Sequence, residues 1–361
     1  MKYDLQEFEK RVELGLLRKS EWNGLVLYGY TDHCTFSKGW DEYTTIARGL
    51  ILNKETGEVV AKPFPKFKNL GESEEVFIQN LPDLPYTVSE KLDGSLGVIF
   101  HYDGAWRVAT RGSFYSDQAL EARAILDNYD MSNVAENTTL LVEIIYPENK
   151  IIVDYGIERK LVLLGAFNRD SGEELLGLGM IGFLTGILQA KSYNLTIQEM
   201  IAIQQTLPKD EEGFVVRFSN GLRVKIKGRE YLRIAKLMSS LSPIALWETM
   251  KYGKVDTFYL EQLPEELRKD YEPIVTALEG QYKNVILDFI QDWESLPLTT
   301  SEVENVTPEA RKKLGLFLKG PNTVKHKSAM FSLLLDKKDE TDKYVMKYIR
   351  PDGNNMKSLD E

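Results

Sequence analysis

Apolar residues recur mostly at every second position from about residue 23 to about residue 230, and at helical spacing beyond it. A period of two is typical of strands with one buried face, whereas spacings of three and four residues are typical of helices. The chain has 361 residues, which is enough for two or three domains. The pattern therefore predicts an α+β domain over residues 1–235, followed by an all-helical domain over residues 236–361.

Local signals predict individual elements within this plan. Asp103-Gly104 lies between two alternating runs of residues and predicts a tight hairpin. Apolar residues at helical spacing predict a helix over residues 4–19. A longer helix is predicted over residues 265–294, with an interruption at Pro273 because proline lacks the backbone N–H that a helix interior uses.

Charge is unevenly distributed along the chain. The formal net charge of −10 excludes a protein coated uniformly with basic residues for nucleic-acid binding. Residues 217–236 nevertheless contain seven basic side chains and one acid, and residues 311–327 contain six basic side chains and no acid. On an acidic protein, such tracts indicate a polyanion that is bound at particular places.

Cysteine and histidine are rare. The single cysteine, Cys34, excludes an intramolecular disulfide and fits a reducing compartment. One cysteine and three histidines also exclude a zinc site of the usual ligand set. The first residues lack the apolar core of a signal peptide, and the longest apolar stretch, near residues 175–188, is too short to span a bilayer. We therefore expect a soluble, cytoplasmic protein with no membrane partner.

Lys91-Leu92-Asp93-Gly94-Ser95 is the motif that carries most chemical information. It places a lysine at the end of a strand and directly before a turn, where an amine can act as a covalent nucleophile. Gly94 allows a tight bend, and Asp93 can support the turn through its own side chain. A Lys-x-Asp-Gly string occurs by chance in roughly one chain of this length in ten, so the motif needs partners elsewhere.

A strand after residue 222 carries three basic residues on one face. Side chains alternate along a strand, so Arg223, Lys225 and Lys227 project to the same side. Ammonium groups about 7 Å apart repel each other unless an anion lies between them. The strand alone leaves two alternatives open, a phosphate-binding strand and a solvated basic edge strand.

Three charged residues interrupt or precede apolar strands. Glu143 and Arg48 each lie inside an apolar run, and Glu212 comes directly before one. An acid within an apolar strand needs a partner or faces a polar cleft, where it can hold a metal or a ribose hydroxyl. The simpler alternatives are a structural ion pair between Glu143 and Arg48, and an ordinary turn acid at Glu212.

Together these residues are typical of a pocket for nucleotidyl transfer. Lys91 would be the nucleophile, the basic residues would surround a phosphate, and the two acids would serve a metal and a ribose. Such a transfer needs mainly positioning and positive charge around the transferring group. We also expect the neighbouring cations to lower the pKa of Lys91 and free its amine for attack.

The chain resembles the ATP-dependent RNA ligase family typified by bacteriophage T4 RNA ligase 1, within the covalent nucleotidyltransferase superfamily. The resemblance covers about residues 25–235, and the order of eight motifs argues against chance. These motifs are Ala47-Arg48-Gly49, Lys66-Phe67-Lys68-Asn69, Lys91-Leu92-Asp93-Gly94-Ser95, Arg111-Gly112-Ser113, Val142-Glu143-Ile144, Pro147-Glu148-Asn149-Lys150-Ile151, Glu212-Gly213-Phe214-Val215 and Lys225-Ile226-Lys227.

The resemblance implies a role for each matching position. Lys91 should form the lysyl-adenylate, and Glu90 should lie near the adenine amino group. Arg111 stands where the T4-type enzyme has lysine, which keeps the charge but changes the donor geometry. The implied phosphate contacts are Arg48, Lys66, Lys225 and Lys227, and three of them, Arg48, Lys225 and Lys227, would be catalytic alongside Lys91. The implied ribose or metal ligands are Glu143 and Glu212. Further positions near the nucleotide are Tyr30, Tyr231 and Arg111.

The same resemblance implies the reaction and its partners. The fold would be a nucleotidyltransferase domain with antiparallel sheets, followed by a helical C-terminal domain. ATP would be the cofactor, AMP the covalent intermediate, and Mg²⁺ the metal, with Mn²⁺ as an alternative. The substrate would be RNA with 5′-phosphate and 3′-hydroxyl ends, single-stranded or in a loop, and we expect a monomer. The basic tract at residues 311–327 would either bind RNA phosphates or form a solvated helix face.

Two rival functions remain at this point. The first is another covalent nucleotidyltransferase, a DNA ligase or a capping-type enzyme, which usually carries an OB-fold barrel after the transferase domain; the helical spacing beyond residue 230 argues against this. The second is a nucleic-acid-binding module with a catalytically retired site. The complete set of lysines and acids argues against that alternative.

Overall fold

The computed structural model shows two compact units, Met1–Ile234 and Ala235–Glu361. The first unit contains three sheets that are mostly antiparallel, and the described part of the second unit is helical. The predicted fold class is therefore confirmed. The structure describes residues 1–240, 242–251, 265–304, 306–335, 337–351 and 353.

The strands of the first unit form one four-stranded and two five-stranded sheets. In chain order they are β1 (Leu17–Trp22), β2 (Leu25–Tyr30), β3 (Arg48–Asn53), β4 (Val59–Ala61), β5 (Lys68–Asn69), β6 (Tyr86–Lys91), β7 (Ser95–Tyr102), β8 (Ala105–Thr110), β9 (Thr138–Ile145), β10 (Lys160–Asn168), β11 (Leu188–Gln189), β12 (Ser192–Tyr193), β13 (Gly213–Phe218) and β14 (Arg223–Lys227).

The helices are short in the first unit and longer in the second. In chain order those described are α1 (Leu5–Glu13), α2 (Asp32–Phe36), α3 (Glu42–Ile46), α4 (Asp117–Leu126), α5 (Leu178–Thr185), α6 (Ile197–Ile203), α7 (Arg229–Ser240), α8 (Pro243–Lys251), α9 (Glu265–Glu294), α10 (Thr300–Glu304), α11 (Pro308–Lys319), α12 (Lys327–Leu334) and α13 (Lys338–Tyr348).

The first sheet has the strand order β1-β2-β3-β4, and α1 packs against it. Phe8 of α1 is fully buried and stacks on Tyr28 of β2, with ring centroids 4.6 Å apart. The helix predicted over residues 4–19 is wrong in its second half. Gly15 adopts a φ of 70°, a left-handed conformation that ends helices, and Leu17 then begins β1.

The two five-stranded sheets have the orders β11-β10-β9-β7-β8 and β12-β6-β13-β14-β5. The chain crosses from the second of these to the first between β6 and β7, through Leu92, Asp93 and Gly94. Lys91 is the last residue of β6. The crossing therefore places the lysine of the Lys-x-Asp-Gly motif where the two sheets meet.

The hairpin predicted at Asp103-Gly104 is confirmed. It joins β7 to β8, and both turn residues have positive φ, 53° and 69°. Two successive positive values fit the tight turn whose twist matches that of antiparallel strands.

The second unit has its own apolar core. Leu278, Leu314 and Val345, from α9, α11 and α13, are fully buried. The helix α9 runs without interruption past Pro273, so the break predicted there is wrong. Ile274 and Leu278 on the same helix are buried, and this packing offsets the hydrogen bond that proline removes.

Within the described residues, no helix has both the length and the apolarity needed to cross a membrane.

Candidate active site

A cleft of about 530 Å³ lies beside Lys91, and its lining comes from strands of both five-stranded sheets. The motif that carries Lys91 can pass between the sheets because Gly94 has no side chain. A Cβ atom at this position would lie 2.7 Å from the backbone oxygen of Ile144 on β9. That is too close for any other residue without a shift of the strand.

Glu212 bridges two lysines that line the cleft, although Glu212 itself is not one of the lining residues. Its Oε2 lies 2.7 Å from Lys91 Nζ and its Oε1 lies 2.8 Å from Lys227 Nζ. The carboxylate is 3% exposed, and each lysine side chain is 21% exposed. Gly213 explains the arrangement, since it pairs with Lys91 on one side and with Lys227 on the other. The interpretation of Glu212 as an ordinary turn acid is wrong.

The predicted phosphate-binding residues come together around the same space. Arg48, Lys66 and Lys225 line the cleft together with the lysine pair just described. The strand β14 lies between β13 and β5, so the alternative of a solvated edge strand is wrong. Burial, followed by repulsion from Lys66 and other nearby lysines, lowers the pKa of Lys225 to about 8. A cluster of partly buried cations that repel one another favours a bound anion, which neutralises their charge.

One aromatic ring lies close to two of these cations. The ring of Phe67 lies 5.6 Å from the Arg48 guanidinium carbon and 5.6 Å from Lys225 Nζ. The Nη1 atom of Arg48 is buried and has no hydrogen-bond partner in the described part of the chain. Burial lowers the pKa of Arg48. An acceptor from a ligand would satisfy this donor.

Glu143 is buried in the middle of β9 and faces the cleft. Its Oε1 accepts a hydrogen bond from the backbone N–H of Gly94 at 3.0 Å. Burial, opposed by the charges of Lys91 and Arg48 and reinforced by that of Glu212, raises the pKa of Glu143 to about 7. Glu143 and Arg48 do not form an ion pair with each other in the described structure, so the interpretation of a structural salt bridge is wrong.

The two acids fit a divalent cation that is shared with a ligand. No group of three or more histidine, cysteine, aspartate or glutamate side chains suited to a metal occurs among the described residues. Glu143 and Glu212 nevertheless interact electrostatically beside the cationic cluster. Mg²⁺ is commonly held by one or two carboxylates together with water and substrate phosphates, and this donor set matches that pattern.

Tyr30 and Arg111 lie together at one edge of the cleft. Tyr30 lines the cleft itself, whereas Arg111 does not. The Arg111 guanidinium carbon lies 5.0 Å from the centroid of the Tyr30 ring, and Arg111 Nη1 lies 3.5 Å from the Tyr30 hydroxyl. Trp40 packs edge-on against Tyr30 at 5.0 Å, and Lys66 Nζ lies 5.3 Å from the Trp40 ring.

Glu90 and Tyr231 occupy different places relative to the cleft. Glu90 lines it, and its Oε1 accepts a hydrogen bond from the backbone N–H of Lys191 at 2.7 Å. Tyr231 is buried and lies behind the cleft rather than on its surface. Its ring lies 4.8 Å from Lys227 Nζ, and its hydroxyl donates to Asp93 Oδ1 at 2.8 Å. Burial raises the pKa of Tyr231, which keeps that donor protonated.

Asp93 forms hydrogen bonds to distant segments of the chain, which the sequence did not indicate. It was expected to support its own turn, but its Oδ2 accepts hydrogen bonds from the backbone N–H groups of Ile152 and Val153, at 2.7 and 2.9 Å. The hydroxyl of Tyr155 accepts from the Asp93 backbone N–H at 2.9 Å. Asp93 therefore ties the lysine motif to the segment after β9 and, through Tyr231, to α7.

A second charged cluster lies in the same cleft, and it was not predicted from the sequence. Glu174 lies close to Arg217 on β13 and Arg223 on β14: Arg217 Nε donates to it at 2.9 Å, and Arg223 Nη2 donates to its other oxygen. All three residues line the cleft. The two arginines occupy matched positions on paired strands, which a hairpin assignment could have revealed, whereas Glu174 is more than forty residues away in the chain.

Comparisons with known proteins show which fold and which family the chain resembles. A solved structure titled "Archaeal ATP-dependent RNA ligase - form 2" resembles this chain with a TM-score of 0.50 and 15% identity, over 78% of this chain and 80% of the other. This likeness concerns the fold alone. The family model described as "RNA ligase" matches residues 46–231, which is about half of the chain. The chain belongs to this RNA ligase family, and the resemblance stated from the motifs is confirmed.

Individual relatives differ in how much of their length is matched. RNA ligase of Rhodothermus phage RM378 is 23% identical over 81% of this chain and 82% of its own length. A protein of Autographa californica nuclear polyhedrosis virus, described as a bifunctional polynucleotide kinase/RNA ligase, is 28% identical over 64% of this chain. That match spans only 36% of the viral protein.

Proposed function

We propose that the protein is an ATP-dependent RNA ligase that joins a 5′-phosphate end to a 3′-hydroxyl end through a lysyl-AMP intermediate. Family membership supports the general activity. The observation that carries the assignment to this site is the position of Lys91, which lies at the junction of two sheets beside a cleft whose lining includes four of the cations predicted to contact phosphate. These cations are Arg48, Lys66, Lys225 and Lys227.

In the first step, Lys91 Nζ would attack the α-phosphorus of ATP. A nitrogen–phosphorus bond forms, the bond from the α-phosphorus to the bridging oxygen breaks, and pyrophosphate leaves. The amine must lose a proton, and Glu212 Oε2, at 2.7 Å, is the nearest acceptor in the described structure. Lys227 shares the same carboxylate, so it would hold Glu212 in place and also face the transferred phosphate.

In the second and third steps, AMP passes to the 5′-phosphate of RNA and is then displaced. The RNA 5′-phosphate oxygen attacks the phosphorus of lysyl-AMP, which releases Lys91 and forms a phosphoanhydride. A 3′-hydroxyl then attacks the RNA phosphate, forming the new phosphodiester and releasing AMP. Arg48 would contact phosphate in these steps, because its buried Nη1 needs an acceptor.

A divalent cation, Mg²⁺ or Mn²⁺, would be held by Glu143 and Glu212 together with substrate phosphates, and when bound it would neutralise phosphate charge. Glu143 has a pKa of about 7, so it would become fully ionised beside such a cation. Glu90, Tyr30 and Arg111 are proposed as further contacts of the nucleotide, and Tyr231 as a residue that positions Lys227 and Asp93.

The proposal is tested by offering the protein a single-stranded RNA with a 5′-phosphate, together with ATP and Mg²⁺. Joined or circular RNA is expected from the natural sequence and none from Lys91→Ala. Lys68→Ala is the matched control, because Lys68 forms an ion pair with Glu75 outside the cleft and its loss should leave ligation intact. Joining of a nicked DNA duplex but not of RNA would contradict the proposal and favour the DNA ligase alternative.

Covalent labelling with ATP, GTP and NAD offered separately distinguishes the remaining alternatives. ATP alone should label the protein. Labelling by GTP would indicate a capping-type enzyme, and RNA binding without any labelling would indicate a retired module. The monomeric state, the cytoplasmic location and a preference for single-stranded or looped RNA stay predictions, as does RNA binding by residues 311–327.

A further inference from the structure

A row of residues across the first sheet connects the cleft to the protein surface. Arg18 on β1 pairs with Gly29 on β2, and Gly29 pairs with Arg48 on β3. Residues that are directly opposite each other in neighbouring strands point to the same face of a sheet. The first pairing therefore puts Arg18 on the same face as Gly29. The register between β2 and β3 shifts between Tyr28 and Gly29, so Arg48 is placed by its position in the cleft lining rather than by alternation, and Arg18 lies outside that lining.

The absence of side chains at two glycines shapes this row. A Cβ atom on Gly29 would lie 2.8 Å from the backbone oxygen of Arg111, so the Arg111-Gly112 segment passes directly over Gly29. A Cβ atom on Gly112 would overlap the guanidinium of Arg18. Arg18 thus packs against the backbone beside Arg111, and Arg111 in turn contacts Tyr30 at the cleft edge.

Arg18 has the character of a binding residue rather than a structural one. It is exposed, and no carboxylate among the described residues forms an ion pair with it. Arg111 also lacks a carboxylate partner there. Lys19, the next residue on β1, differs from Arg18 in two ways. Its side chain points to the other face of the sheet, and its Nζ forms an ion pair with Glu9 at 2.8 Å.

We propose that Arg18 binds a backbone phosphate of the RNA, next to the end that is held in the cleft. This deepens the proposed function and rests on it for the identity of the polyanion. Arg48 lines the cleft and interacts electrostatically with Arg111, and the guanidinium of Arg18 lies against Gly112, the residue after Arg111, so the three arginines follow one another from the cleft to the surface. An RNA strand with its terminal phosphate at Arg48 would place its following phosphates along this series. Arg18 does not line the cleft and, unlike Arg111, has no hydrogen bond or cation–π contact with a cleft residue in the described structure, which favours RNA over ATP as the source of the phosphate.

The test measures RNA binding by fluorescence anisotropy, with a labelled single-stranded 5′-phosphorylated RNA at several salt concentrations. Arg18→Ala should weaken binding by roughly 5- to 10-fold and lower the slope of log affinity against log salt by about 0.7, as expected for one lost phosphate contact. Lys19→Ala removes the same charge from the adjacent position and should stay within about 2-fold of the natural protein. Gly112→Ala keeps the charge of Arg18 but displaces its guanidinium, and it should weaken binding as Arg18→Ala does.

Labelling of the protein by ATP, measured in parallel, separates the two sources of phosphate. Arg18→Ala should be labelled at the natural rate. Slower labelling together with unchanged RNA binding would overturn the proposal and assign Arg18 to ATP. Equal RNA affinity for Arg18→Ala and Lys19→Ala would also overturn it. If the natural protein never becomes labelled, the proposed ligase activity fails, while weaker RNA binding by Arg18→Ala would still support the phosphate contact.

Discussion

Glu143 should make the protein less stable as pH rises through neutrality. Burial raises the pKa of this carboxyl from an ordinary value of 4.5 to about 7 in the folded protein. The folded state therefore binds the proton more tightly than the unfolded state does. The stabilising contribution of this proton is fully present below about pH 4.5 and is lost as pH rises through about 7. Since each pH unit corresponds to about 1.4 kcal/mol, the loss is about 3 kcal/mol.

Glu143→Gln isolates this effect. The amide oxygen of glutamine can still accept the hydrogen bond from the Gly94 backbone N–H, but the side chain does not ionise. The free energy of unfolding, measured with urea at pH 5, 6, 7 and 8, should be similar for the two proteins at pH 5. At pH 8 the variant should be more stable by up to about 3 kcal/mol.

Glu148→Gln is the matched control, because Glu148 is 63% exposed and its pairing with Arg159 lies at the surface. The difference in the free energy of unfolding between Glu148→Gln and the natural protein should stay constant across this pH range. A constant difference between Glu143→Gln and the natural protein from pH 5 to pH 8 would refute the reasoning. It would mean that the nearby cations hold Glu143 ionised at every pH tested.

Two further predictions concern the cations and the support behind them. Lys225 has a pKa of about 8, so the affinity for ATP should fall as pH rises above 8. In Lys225→Arg this pH dependence should be weaker, because arginine stays charged. Equal pH profiles for the two proteins in a titration of ATP binding would contradict this prediction. Tyr231→Phe removes the hydroxyl that donates to buried Asp93 and should destabilise the protein by about 1–3 kcal/mol in urea unfolding. An unchanged urea midpoint would show that this hydrogen bond contributes nothing to stability.

Local sequence signals predicted the elements whose structure depends on neighbouring residues. The turn at Asp103-Gly104 needs two positive φ angles, and its residues favour them, so the hairpin was predictable. The helix over residues 4–19 was not, because its apolar spacing continues past the point where Gly15 ends the helix. Nor was the continuity of α9 through Pro273, because packing with distant helices decides it.

In the candidate site, too, features that depend on neighbouring residues were predictable and features that depend on distant segments were not. Alternation within β14 was enough to place its basic residues on one face, and the structure brings Lys225 and Lys227 to the cleft together. The pairing of Glu212 with Lys91 depends on strand register between segments 121 residues apart, which no local pattern specifies. The same limit applies to Glu174, which lies outside the strands of the three sheets and more than forty residues before its arginine partners.

The most direct test of the account is the mass of the protein after incubation with ATP and Mg²⁺, followed by peptide mapping. The account predicts one added adenylyl group, located on the peptide that contains Lys91 and absent from Lys91→Ala. An unchanged mass, or an adduct that persists in Lys91→Ala, would contradict the claim that this amine becomes bonded to AMP.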